Sequence, residues 1–407
     1  MRKAWSALAF ASVLAIGVAA CSGDGPEASA EQAGDGTDTI ELAEFPDRPY
    51  WGDTHLHTDN SVDAFGFGTR LGPEAALRFA RGETVTATTG ADTQLARPLD
   101  FLVIADHSDA LGATRRLYDA PRWYVNWVIG DETVLRWYDM MHESPEQSTK
   151  AIGELISAAA EDRVPEAMQA DAEASEDATK DIWNTQLSIL DRYNEPGVFT
   201  ALAGYEWTAM PNGNNLHRVV MFRDGSDKTR QTVPFPGLQT TAPQLWEYMK
   251  NYEAETGGRV LAIPHNPNLS NGLMFQMTME DGSPMTPEYA ALRAWAEPVI
   301  EATQIKGDSE THPEFSPEDP FAGFERYGFY IQAYATGYLP QPGDYVRPSL
   351  QRGLEIEAAV GVNPYAFGVI GSTDSHTGLA SAEEDNFHGK LARDSIPANK
   401  LRETGNE

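Results

Sequence analysis

Six short apolar runs in this chain end on, or begin beside, a histidine or an acid. They are WGDTHLHT (51–58), DFLVIADH (100–107), TALAGYEW (200–207), NLHRVVMF (215–222), VLAIPHN (260–266) and FGVIGSTDSH (367–376). Runs this short and this apolar read as strands covered on both faces. Between them lie stretches of helical periodicity at 73–81, 242–256, 287–295 and 350–360. Strand–helix alternation of this kind predicts a parallel α/β sheet or barrel, where functional side chains collect at the carboxyl ends of strands. Five of the six runs carry their histidine or acid at that end. NLHRVVMF reverses the order, so His217 either enters a strand at the same mouth or stands outside the group.

Imidazole and carboxylate are the side chains that hold zinc, iron and manganese. His55 and His57 are two apart and project to one side of an extended strand. Asp53 shares their parity and is a candidate ligand or a partner that orients an imidazole. Asp63 follows in a loop. Asp106 and His107 are adjacent, so one of the two faces inward, and His107 is the expected ligand. Glu206 sits between Tyr205 and Trp207 in an apolar run, where a carboxylate is costly unless it is paired or metal-bound. His265 precedes the rigid Asn266-Pro267 turn, and Asp374 and His376 repeat the same-side spacing late in the chain. His142, His312 and His388 lack such settings and read as surface or helix histidines.

The remaining organisation follows from composition. The formal charge of −31 argues against broad binding to nucleic acid or an anionic membrane surface, but bound divalent metals could still receive an anionic substrate. Residues 1–20 read as an export signal: Arg2 and Lys3, a short apolar stretch, then small residues. Cys21, the only cysteine, completes VAAC, which is similar to the bacterial lipoprotein box; lipidation there would anchor an exported protein to a membrane facing the periplasm or exterior. Residues 21–47 form an acidic, Gly- and Ala-rich tether. The folded part is expected over 48–407, with a helical insertion at about 112–195 carrying Trp123, Tyr124, Trp127, Trp137, Tyr138 and Trp183. Those aromatics read as the insertion's own core, with a lid over a pocket as the functional alternative.

In order, HLHT at 55–58, the DH pair at 106–107, Glu206, His217, His265 and DSH at 374–376 resemble the motifs of the polymerase and histidinol phosphatase (PHP) superfamily. The surrounding YWGDTHLHT, GYEWT, IPHNPN, GDSE, GSTDSHTG and EEDNFHGK look like an uncharacterised secreted subgroup known only as a domain of unknown function. The resemblance runs from about residue 48 to the C-terminus. It implies a distorted (β/α)7 barrel and a two- or three-metal site of zinc, manganese or iron. One metal would take His55, His57, Glu206 and Asp374. A second would share Glu206 with His217 and His265, and a third would use Asp63, His107 and His376. Asp63 stands where several members have histidine.

The implied chemistry is phosphoester hydrolysis of a small-molecule substrate by a metal-bound hydroxide. Glu206, Asp374 and the cation Arg218 are the expected catalytic residues. Lys306 is a further cation, and Glu301 and Glu310 flank its run. Three alternatives stand beside this reading: an amidohydrolase-type metalloenzyme, a surface lipoprotein that binds metal or ligand without catalysis, and, weakest, a serine or cysteine nucleophile, for which the sequence offers no GxSxG motif. The late Asp374–His376 pair with Glu206 disfavours the first. Metal-competent residues at all nine expected positions disfavour the second.

Overall fold

Apolar strands deliver polar residues to a common place when the ends that carry them meet, whichever way each strand runs. In the computed structural model seven strands carry the motif runs and an eighth, β7, carries Glu301: β1 (Gly52–Leu56), β2 (Phe101–Ile104), β3 (Thr200–Leu202), β4 (Gly204–Trp207), β5 (Arg218–Phe222), β6 (Val260–Pro264), β7 (Val299–Gln304) and β8 (Gly368–Gly371). The structure describes residues 48–161, 163–169, 172–328, 339–381, 383–396 and 399; the expected signal (1–20), Cys21 and the tether (21–47) lie outside them.

The ladders are small and of mixed sense. β1, β2 and β3 pair in parallel, with Asp53 opposite Leu102 and Leu102 opposite Ala201. β4, β5 and β6 are antiparallel, with Glu206 opposite Val219 and Arg218 opposite Pro264. β7 and β8 pair in parallel. Isolated parallel bridges join Leu56 to Ser375 and His107 to Glu206, so the chain beyond β8 reaches β1 and the chain beyond β2 reaches β4. The antiparallel course of β5 explains the reversed motif. Its first residues lie beside the last residues of β4 and β6, and His217 reaches the same end as Glu206 and His265 by entering a strand.

Alternation along these strands separates two cores. Leu102, Ile104, Tyr205, Trp207, Val220, Phe222, Ala262 and Ile300 join Trp183, Leu245, Trp246 and Met249 of the helices in the largest cluster. The opposite faces bring Val103, Ala105, Val219 and Ile263 together, with Leu202, Met221, Leu261, Val299 and Ile370 packed around them. That second cluster draws on six strands, and His55, Glu206 and Glu301 have the same parity as its members. Gly204 is required here: a side chain would strike Val103 and the Val220 carbonyl.

The helices follow their end signals. Ala242–Thr256 starts in a Thr241/Gln244 capping box and ends at Gly257 with φ 64°. Val346–Val360 begins four residues before the expected 350, because Pro348 in a first turn removes only a donor with no intrahelical partner. From Ala113 to Tyr193 the described chain is largely helical, including Glu132–Glu143, Pro145–Ala160 and Ala172–Tyr193. Its aromatics divide: Trp137 and Tyr138 pack inside it, Trp183 joins the main core, and Trp123, Tyr124 and Trp127 are exposed. Ile152 of this region packs against Gly66, on the short helix Val62–Gly66 that carries Asp63. Among the described residues no helix is long and apolar enough to cross a membrane.

Candidate metal centre

All nine expected ligands meet in one buried cluster, joined by Glu301. Four groups have donor atoms within 4.8 Å of one another: His57, Asp63, His107 and His376; His55, His57 and Asp374; His55, His265 and Glu301; and Glu206, His217 and His265. Glu206 is the hub. Its Oε1 lies 2.6 Å from His217 Nδ1 and 2.8 Å from His265 Nε2, and its Oε2 lies 3.0 Å from His57 Nε2 and 3.2 Å from His107 Nδ1. Two turns after strands aim the ligands: Asn266 and Asp374 adopt φ of 45° and 49°, left-handed geometry that Asn and Asp tolerate better than most. Such conformations persist where surrounding structure holds them, often at functional sites.

Partners behind the rings leave nitrogens facing inward. His55 Nδ1 meets Glu301 at 3.1 Å, His57 Nδ1 meets Ser61 Oγ at 3.0 Å, and His107 Nδ1 meets Thr208 Oγ1 at 2.6 Å. His376 Nδ1 meets the Asp374 carbonyl at 3.0 Å. With Nδ1–H donated outward, each Nε2 presents a lone pair to the cluster, the tautomer that metal ligation needs. His55 Nε2 and His57 Nε2 are 3.2 Å apart and converge with Asp374 Oδ1. His217 Nε2, His265 Nδ1 and Asp374 Oδ1 are buried with no hydrogen-bond partner among the described residues. Buried polar atoms normally find partners, so converging donor atoms with orphans fit a cation.

Electrostatics sort the groups. Burial alone would raise the Glu206, Asp63 and Asp374 carboxyls, yet each is held well below its ordinary range: Glu206 by His107, His265 and His217, Asp63 by His376 and His107, and Asp374 by Lys306 and Lys390. Burial pushes His217 down to about 4 and His376 down to about 3. For His107 burial is outweighed by Glu206 and Asp63, which lift it to about 9. Exposure across the cluster is uneven. Asp63, His107, His217, Lys306 and Lys390 side chains retain 9–12 % exposure, whereas His55, His57, His265, Glu206 and Asp374 retain 2 % or less.

Other expected positions lie elsewhere. Asp53 accepts from the His55 backbone N–H at 2.9 Å and from Thr373, tying β1 to the loop after β8 rather than facing the cluster. Asp106 accepts from Thr58. Glu310 is exposed and bound to Arg347. His142 is exposed on a helix and His388 half-buried, but His312, read as a surface residue, is buried beside Tyr345 and 3.1 Å from Arg326. Lys306 does reach the site, on Asp374 Oδ2, and so does Lys390 of the HGK run, which had no expected role. Its signal was slight: one lysine beside a glycine near the end of an acidic chain.

Arg218 departs from its expected role. Next to His217 on a strand, it points to the opposite face, where its Nε bonds Glu297 at 3.0 Å beneath Trp207. Glu297 also takes Arg293 at 3.1 Å and Trp246 at 2.9 Å. Burial opposes that carboxylate, but Arg218 and Arg293 keep it lowered. Without Arg218 the carboxylate keeps Arg293 and Trp246, so the loss is that of one charge-assisted hydrogen bond. Arg218→Met is therefore expected to cost about 2 kcal/mol of stability while metal content stays at the wild-type level. Denaturant unfolding with elemental analysis checks this; unchanged stability with lost turnover would return Arg218 to the site.

Strands converging on a buried histidine–carboxylate cluster that could hold metal define the class of protein. Residues 44–407 match a family model described as protein of unknown function (DUF3604), and the chain belongs to that family. No curated protein and no solved structure matches it.

Proposed function

We propose that this chain is a metal-dependent hydrolase of phosphoesters, using two or three divalent ions of zinc, manganese or iron. The observation that carries the reading is Glu206, whose two oxygens serve imidazoles on both sides and thereby join separate donor groups into one centre. A PHP-type barrel is the architecture we favour. It is supported by the interior cluster drawn from six strands and by the bridges that link ladder ends.

Divalent metals here would activate a coordinated water and offset charge on phosphoryl oxygens. The chain's own residues do the rest. His55, His57, Glu206 and Asp374 would hold one ion, His217 and His265 with Glu206 a second, and Asp63, His107 and His376 a third. Asp374 Oδ1, buried with no hydrogen-bond partner among the described residues and facing His55 and His57, is the oxygen that would ligate. Net hydrolysis would form a bond from the water oxygen to phosphorus and break the ester P–O bond, with a proton of that water passing to the departing alkoxide. Export and attachment through Cys21 remain part of the proposal.

The purified chain is expected to retain about two to three transition-metal equivalents and to hydrolyse aryl phosphate esters faster than amides. Elemental analysis and a panel of phosphomonoesters, phosphodiesters and amides test this. Less than about one equivalent after folding in metal-supplemented medium would refute the multinuclear centre. Amide cleavage alone would move the chain to the amidohydrolase class.

A further inference from the structure

Asp374 divides its two oxygens between different neighbours. Oδ1 turns inward, 3.5 Å from His55 Nε2 and 3.3 Å from His57 Nε2. Oδ2 turns away from those imidazoles and accepts from Gln304 at 2.7 Å, from Lys390 at 3.1 Å and from Lys306. One ammonium with the Gln304 amide already satisfies that oxygen. Both ammoniums are only about a tenth exposed, so two largely buried positive charges meet at one carboxylate oxygen. Lys390 also lies 3.1 Å from His376 Nδ1 and 3.0 Å from the Asp374 carbonyl. If His376 ligates through Nε2, its Nδ1 carries the hydrogen and cannot accept from Lys390, so a Lys390 N–H is left for another acceptor.

Charge points the same way. With neutral imidazoles, two divalent ions balance the four carboxylates Asp63, Glu206, Glu301 and Asp374, leaving both ammoniums as surplus. A phosphomonoester dianion cancels that surplus, whereas a diester monoanion cancels half. Resting on the phosphoesterase reading, we infer that Lys306 and Lys390 form a paired anion grip that selects phosphomonoesters over phosphodiesters. The pair is held in place by Asp374 Oδ2, so the grip and the metal-facing Oδ1 share one rigid carboxylate.

The test compares p-nitrophenyl phosphate with bis(p-nitrophenyl) phosphate on the metal-loaded full chain, and measures inorganic phosphate binding by calorimetry. Wild type should prefer the monoester. Lys306→Met and Lys390→Met should each lower monoester kcat/KM about 10- to 100-fold, the scale of a charge-assisted hydrogen bond, mainly through KM. Diester kcat/KM should fall by a clearly smaller factor, metal content should hold, and Lys390→Arg should restore part of the monoester rate. Each single variant leaves Asp374 one ammonium and Gln304, so the carboxylate stays paired. Equal losses on both esters, or a diester preference in wild type, would overturn the grip. If neither ester is cleaved, the phosphoesterase reading fails separately. Phosphate binding that vanishes in the methionine variants would then still support the grip, and its absence in wild type would overturn it.

Discussion

Glu206→Gln is expected to empty the centre: metal content should fall below about one equivalent and turnover by on the order of 10³-fold or more. The substitution is nearly isosteric, so its effect is electronic. Glutamine removes the negative charge that faces five imidazoles, and its amide NH2 would point a donor at lone pairs that metals must share. Lesser changes behind metal ligands already cost 10- to 100-fold in affinity or activity, and a shared ligand should cost more than either. The fold should survive, because the packing around Val103, Val219 and Ile263 is unchanged. Elemental analysis and kcat on one preparation decide it, with circular dichroism as the folding control. Wild-type metal content in the glutamine variant would remove Glu206 from the hub.

Stripping the metals should destabilise the chain by about 4 kcal/mol for each site previously held at a thousandfold excess over its Kd. The loss should depend on pH in a direction set by His107. Without metal its imidazole is raised to about 9, so the stability gained from its contacts with Glu206 and Asp63 is complete below about 6.5 and disappears as pH climbs through 9. Glu206 and Asp63 are depressed, so their contribution holds above about 4.5 and is lost in acid. The chelated chain should therefore weaken between pH 6.5 and 9, where the loaded chain does not. Metal binding must eject the His107 proton, so affinity should rise across the same window, with proton release visible by calorimetry in buffers of different ionisation enthalpy. Melting curves before and after chelation supply the first comparison. Identical curves would mean that the cluster holds no ion that matters to folding.

The candidate site was legible because its donor atoms stand where donors are conspicuous. A histidine or glutamate closing an apolar strand has few inexpensive explanations, and Glu206 between Tyr205 and Trp207 is the clearest case. Arg218 could have been read differently: period-two alternation puts it opposite His217, and that rule outweighs its nearness in sequence. Lys390 and the partners of Glu301 carried little local signal, since a lysine beside glycine or a glutamate in a strand has many ordinary uses. The direction of β5 was also hidden. A strand's sense is set by the loops and neighbours that receive it, so His217 looked displaced until its antiparallel pairing with β4 and β6 was seen.

Local chemistry is short-range, and that is why side-chain order alone specified the donor types, the strand runs and most helix ends. The division of labour inside the centre is long-range. Which imidazole shares Glu206, which oxygen of Asp374 meets lysine, and whether Asp53 binds an ion or the Thr373 loop depend on contacts across as many as 320 positions. Such contacts exist only after packing has brought the strands together, so no window along the chain contains them.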